Sequence, residues 1–186
     1  MKQEGNEEVF SKEQISEIVS MLQDLGSDTK IYFGCDSVKF RKDNRWFARY
    51  ATVVIIHRNG KNGCKLFSHT SVEPDYDVKK NRPKTRMMNE SMKVCAAYNQ
   101  LIPFIEELAE IVEDKKGNLV IREFDVEVHL DIATDPKHGS SCAAVEAAGY
   151  VLGMTGLSKE KIKLKPDAFA ASFGADGVGR GFHQRG

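Results

Sequence analysis

The feature that most constrains this chain is a set of three β-type segments with little sequence between them. Lys30–Val38, Trp46–His57 and Cys64–Val72 are rich in aromatic and β-branched residues, the types that fit a pleated surface. A charged turn separates the first two, and Asn59-Gly60-Lys61-Asn62-Gly63 is turn sequence between the second and third. Connections this short leave room only for hairpins, so the three strands are expected to form an antiparallel meander.

Helical and strand patterns then alternate. About Arg86 to Glu113 carries Met87, Val94, Cys95, Tyr98, Leu101, Ile102 and Ile105 on one helical face, with Pro103 as a kink or restart. After the turn Lys115-Lys116-Gly117-Asn118, Phe124, Val126, Val128, Leu130 and Ile132 alternate with polar residues as a half-buried strand does. A polar loop, 135–141, leads to an alanine-rich helix ending near Met154, then a short strand in KIKLKP and a last helix from Asp167 to Phe173. Ahead of all this, Ser11–Gly26 places Ile15, Ile18, Val19, Leu22 and Leu25 at three- and four-residue steps, with Ser11 as cap and Gly26 as stop. A meander followed by alternating units predicts an α/β fold, a mixed sheet with helices on both faces.

A length of 186 residues with 41% hydrophobic residues suits one folded domain, without the bias of a disordered chain. The longest apolar runs, such as Val53–Ile56, are too short to cross a membrane. A polar, acidic start without the apolar core of a secretory signal leads us to expect a cytoplasmic protein. Cys35, Cys64, Cys95 and Cys142 are widely spaced with no C-x-x-C pair, which argues against zinc, iron–sulfur and disulfide frameworks.

The 27 basic and 27 acidic residues cancel overall but not locally. Residues 39–49 hold five cations against Asp43, and 79–93 hold six against Glu90, while the first 28 residues hold seven acids against two lysines. Two basic segments in a neutral chain suit a surface that meets a polyanion, although charge runs also simply face water. Trp46 and Phe47 among Arg45 and Arg49 suit base stacking, or else the core.

Four acids stand at element ends: Asp36 on the first strand, Glu90 on the shoulder of the long helix's apolar stripe, Asp131 on the fourth strand, and Asp167 opening the last helix. Each alone has a plain explanation, as a turn residue or a helix-end charge. Together, on adjacent strands and the helices packed across them, they would repel one another unless cations intervene. An oxygen-only set favours Mg2+ or Mn2+, and two such ions suit phosphodiester hydrolysis. Lys137, His138 and Ser140 in the loop after Asp131 are candidate substrate contacts, with a solvated histidine and a helix cap as alternatives for the last two. Ser37 and Lys165, beside the acids, are candidates as well. His129, on the polar face of its strand, is read as an internal hydrogen-bonding residue.

Gly34-Cys35-Asp36-Ser37, His129-Leu130-Asp131-Ile132 and Lys165-Pro166-Asp167-Ala168-Phe169-Ala170-Ala171-Ser172, with Ala175-Asp176 following, resemble the YkuK-type ribonuclease H-like family of the retroviral-integrase-like nuclease superfamily. The resemblance covers about residues 31–176, and its last motif is also similar to the terminal helix of Holliday-junction resolvases. It implies a ribonuclease H-like five-stranded sheet, with Asp36, Glu90, Asp131 and Asp167 as metal-binding and catalytic carboxylates. Asp176, about 180° from Asp167 around a continuous helix, reads as a cap or surface charge. The expected layout is a helical extension over 1–28, the ribonuclease H-like domain over 29–176 and a flexible glycine-rich tail over 177–186.

The expected function is a nuclease dependent on Mg2+ or Mn2+, with two ions, acting on RNA, RNA–DNA hybrid or structured DNA. The alternatives are an inactive module of the same fold that binds nucleic acid or a partner, and an interaction protein that docks through its acidic N-terminal helix.

Overall fold

A computed structural model describes residues 8–26, 28–58, 63–77, 83–113, 117 and 119–180. The elements run α1 (Lys12–Gln23), β1 (Lys30–Lys42), β2 (Arg45–His57), β3 (Cys64–Pro74), α2 (Lys84–Glu107), β4 (Glu110–Glu113), β5 (Leu119–Arg122), β6 (Asp125–Ala133), α3 (Ala144–Thr155) and β7 (Ile162–Lys165). A terminal helix follows, wound as a π-helix over Ala170–Ala175 and as a short α-helix, α4, over Asp176–Gly179.

The main sheet has the order β3-β2-β1-β6-β7. β1, β2 and β3 pair antiparallel as the meander, while β6 pairs parallel with β1 and β7 parallel with β6. β1 is twice as long as β6 needs: the β1–β6 ladder stops at Cys35↔Leu130, whereas β1 stays paired with β2 out to Lys42↔Arg45. Asp36 is thus the first residue of β1 beyond its parallel neighbour.

Alternation along β1 divides the molecule into two layers. Ile31, Phe33 and Cys35 face a main core with Val94, Tyr98 and Leu101 of α2 and Ala147 and Val151 of α3. Tyr32 faces the other way, with Ala51, Val53 and Ile55, onto Ala170 and Ala175 of the terminal helix. Gly34 lies on that second face, where a Cβ would come within 2.7 Å of the Ala170 carbonyl carbon and the Ala171 nitrogen. The missing side chain lets the terminal helix rest directly on β1.

Several boundaries differ from the sequence expectation. The long helix ends at Glu107 rather than Glu113, because Glu110–Glu113 pairs with Leu119–Arg122 as a separate two-stranded sheet. Ile111 and Val112 fit a strand as readily as a helical stripe. α2 runs unbroken through Pro103. α1 has the expected capping box, with Ser11 accepting from the Gln14 amide, but it stops at Gln23 with Asp24 as C-cap, before Gly26. Its Ile18 and Leu22 are wholly buried in the main core, and Gln100 of α2 binds the Val9 and Phe10 backbone, so this helix is integral to the domain. Residues 176–179, expected partly in a tail, are helical. The Asn59–Asn62 turn, Lys79, Lys80, Arg82, Lys115, Lys116, Asn118 and residues 181–186 lie outside the described residues. Among those described, no helix is long and apolar enough to cross a membrane.

Candidate active site

The carboxylates collect where β1 outruns β6. Asp36 accepts the Ser37 amide on Oδ1 at 2.7 Å. Glu90 enters from α2 only 2% exposed; its Oε1 accepts the Ser37 hydroxyl at 2.5 Å, and its Oε2 is buried without a partner. Asp131 sits in β6 between His129 and Ala133, where the ladder with β7 slips register, an irregularity of the kind that re-aims a side chain. Its Oδ1 accepts the Ser172 hydroxyl at 2.5 Å, and its Oδ2 pairs with Lys165 at 2.9 Å.

These acids feel one another. Burial, then the charges of Asp131 and Asp176, push the Asp36 carboxyl up to about 7, against the opposing pull of the Ser37 amide and Lys165. Burial, then Asp36, hold Glu90 well above the ordinary carboxyl range, with Asp131 adding to the rise and Arg86 opposing it. Burial and neighbouring like charge both favour the protonated form of Asp36 and Glu90 in the absence of cations.

Of the two acids at the end of the chain, Asp176 is the one whose charge acts on Asp36, where Asp167 was expected. Asp167 is exposed in the turn between β7 and the terminal helix, its amide bonded to Leu164 O, and it is not among the principal charges acting on Asp36 or Glu90. Two facts defeat the angular argument: the helix begins after Asp167, and its π-helical turns do not advance by 100° per residue. Asp176 also pairs with Arg180 at 2.6 Å.

The neighbours divide as well. Ser37 bridges Asp36 and Glu90, and Lys165 holds Asp131. Ser140 accepts the Ala133 amide and so ties down the end of β6, in place of an open substrate contact. Lys137 and His138 are exposed in a turn organised by Asp135. Of the described cations in the second basic segment, Lys84 pairs with Glu146 and Lys93 with Glu73.

Ser172 and His129 also shape the site. His129, 1% exposed, accepts the Ala170 amide on Nδ1 at 3.1 Å and meets Glu127 through Nε2 at 3.1 Å, so its proton is assigned to Nε2. Burial lowers its pKa and keeps it neutral. The histidine therefore anchors the first turn of the helix that carries Ser172 and Asp176. The small-residue run after Asp167 is the sequence signal for this close approach.

An all-oxygen, carboxylate-rich donor set with one orphaned oxygen, Glu90 Oε2, fits a hard divalent cation. Among the described residues, no three His, Cys, Asp or Glu side chains are arranged to hold a metal ion as they stand. The serine hydroxyls and Lys165 occupy several of the oxygens instead.

A three-strand meander continued by parallel strands in the order 3-2-1-6-7, with helices on both faces, is a ribonuclease H-like fold. A family model described as Ribonuclease H-like matches residues 12–180, and the chain belongs to that family. Comparison with curated proteins and with solved structures gives no match.

Proposed function

We propose that this protein is a divalent-metal-dependent nuclease that hydrolyses phosphodiester bonds in RNA, RNA–DNA hybrid or structured DNA. The observation that carries the reading is the buried Glu90, with one carboxylate oxygen without a partner, and the half-buried Asp36, both held above the ordinary carboxyl range by burial and by neighbouring acids that include Asp131 and, at Asp36, Asp176. Those four residues would hold Mg2+ or Mn2+. When bound, such ions activate water and stabilise the leaving oxygen in diester hydrolysis.

The chain's own groups orient the acids. Ser37 fixes Glu90 and Asp36 relative to each other, while Ser172 and Lys165 turn Asp131 toward the terminal helix. Exposed Lys165 and Lys137 offer cations to a phosphate backbone, and His138 offers a ring nitrogen. The test is cleavage of single-stranded RNA, hybrid duplex, duplex DNA and branched DNA with Mg2+ or Mn2+. Wild type is expected to cut at least one substrate, with Asp36→Asn and Asp131→Asn inactive. Equal cleavage by all three proteins would overturn the proposal.

A second reading, an inactive nucleic-acid- or partner-binding module of the same fold, is favoured by the engagement of Asp131 with Ser172 and Lys165 and of Asp176 with Arg180. Salt-sensitive binding without metal-dependent turnover would select it.

A further inference from the structure

Beyond Asp36, β1 and β2 continue as a hairpin of Lys39–Lys42 against Arg45–Ala48, closed by Asp43 and Asn44 in left-handed conformation. Past Cys35, β1 lacks its β6 neighbour, so the hairpin stands at the open end of the sheet beside the acids. Its two faces differ. On the terminal-helix face, Phe40 stacks on Phe47 at 5.8 Å with the Arg49 guanidinium over Phe40, and Arg49 also reaches Gly179 O. That face supplies the hairpin's own packing. On the α2 face, Trp46 lies across from Arg41 and beside Lys39, with the two cations 5.9 and 4.8 Å from its ring centre.

Trp46 nevertheless remains 48% exposed. A tryptophan serving only to cover the Lys39–Asp75 ion pair would gain from closer burial, and Lys39 is already held by Asp75 at 2.9 Å. The cations divide in the same way. Lys39 is neutralised by Asp75 and the exposed Arg49 is engaged by Gly179 O and the Phe40 ring, whereas Arg41, Lys42 and Arg45 are exposed and have no ion-pair partner among the described residues.

We propose that this hairpin is a docking platform for an unpaired stretch of nucleic acid, with one base stacked on Trp46 and the flanking phosphates met by Arg41, Lys42 and Arg45. An aromatic face within a cationic strand pair is the combination that binds single strands with little sequence preference. A duplex would satisfy the charges but hides its base faces. Trp46's partner Arg41 is five residues along β1 from Asp36, about 17 Å, so the stacked base would lie about three to five nucleotides from a diester at the acids. The proposal deepens the nucleic-acid part of the function above and does not require cleavage.

Trp46 is the sole tryptophan, so its fluorescence reports on the platform directly. The protein in EDTA is titrated with oligo-dT, oligo-U and a blunt duplex of equal length. Quenching by dT or U, at least about tenfold tighter than by the duplex, is expected. By anisotropy of a labelled strand, Trp46→Ala is expected to weaken binding about tenfold, Trp46→Phe to restore most of it, and Arg41→Ala or Arg45→Ala to lower the salt slope by about 0.7 each. No quenching by either strand, equal quenching by the duplex, or unchanged binding by a folded Trp46→Ala would overturn the platform. Asp36→Asn is expected to lose cleavage yet keep the quenching, which separates failure of the platform from failure of the nuclease reading.

Discussion

Ser37 and Glu90 are joined by a 2.5 Å hydrogen bond across 53 residues of sequence, and among the described residues the Ser37 hydroxyl is the one hydrogen-bond donor to this buried carboxylate. Removing the hydroxyl with Ser37→Ala leaves both Glu90 oxygens without donors. The expected cost is about 1–3 kcal/mol of stability in metal-free protein, measured by urea unfolding near neutral pH, with Ser37→Thr recovering most of it. The Glu90 carboxyl should also rise further, since the lost bond was lowering it.

The Asp167 and Asp176 positions can be separated by paired substitutions. Asp176→Asn, beside Asp36, is expected to weaken Mn2+ binding at least about tenfold in a calorimetric titration, while Asp167→Asn stays within about twofold. The reverse ranking would restore Asp167 as the fourth ligand.

The raised carboxyls tie stability to pH. A group that holds its proton more tightly in the folded state contributes most below its unfolded pKa, and that contribution is lost as pH rises through the folded value. For Asp36 the window runs from 3.8 to about 7, with Glu90 acting in the same direction. His129 acts oppositely: its lowered pKa means stability is lost as pH falls below 6.5. Thermal unfolding of metal-free protein should therefore show stability falling as pH rises from about 4 to about 7, a fall that Asp36→Asn reduces. Mg2+ or Mn2+ should raise the melting temperature more at pH 8 than at pH 5.

Close approach at Gly34 gives a packing prediction. Gly34→Ala drives a Cβ into the Ala170–Ala171 backbone and is expected to cost about 1–3 kcal/mol, because backbone cannot step aside. Gly174→Ala meets the mobile tip of Ile55 at the same 2.7 Å and should cost less. Denaturant midpoints of the two variants check the order.

How much of this was legible beforehand follows from what each signal depends on. The meander and the β6 alternation were readable because each strand carries its own period, whereas the first strand, expected to end at Val38, runs on to Lys42, so that Asp36 lies inside it rather than at its end. Glu90 was legible from a charge on an apolar shoulder. The β4–β5 hairpin was missed because four residues are too few to set a period. Asp176 was missed because its direction depends on where the terminal helix starts and how it winds, which His129 and Gly34 determine from other strands.

The central claim is tested most directly by a crystal structure of the protein grown with Mn2+ and measured at the manganese absorption edge. The account predicts anomalous peaks flanked by Asp36, Glu90, Asp131 and Asp176, with Asp131 released from at least one of Ser172 and Lys165. Saturating Mn2+ with no peak among these carboxylates, or peaks only elsewhere, would contradict it.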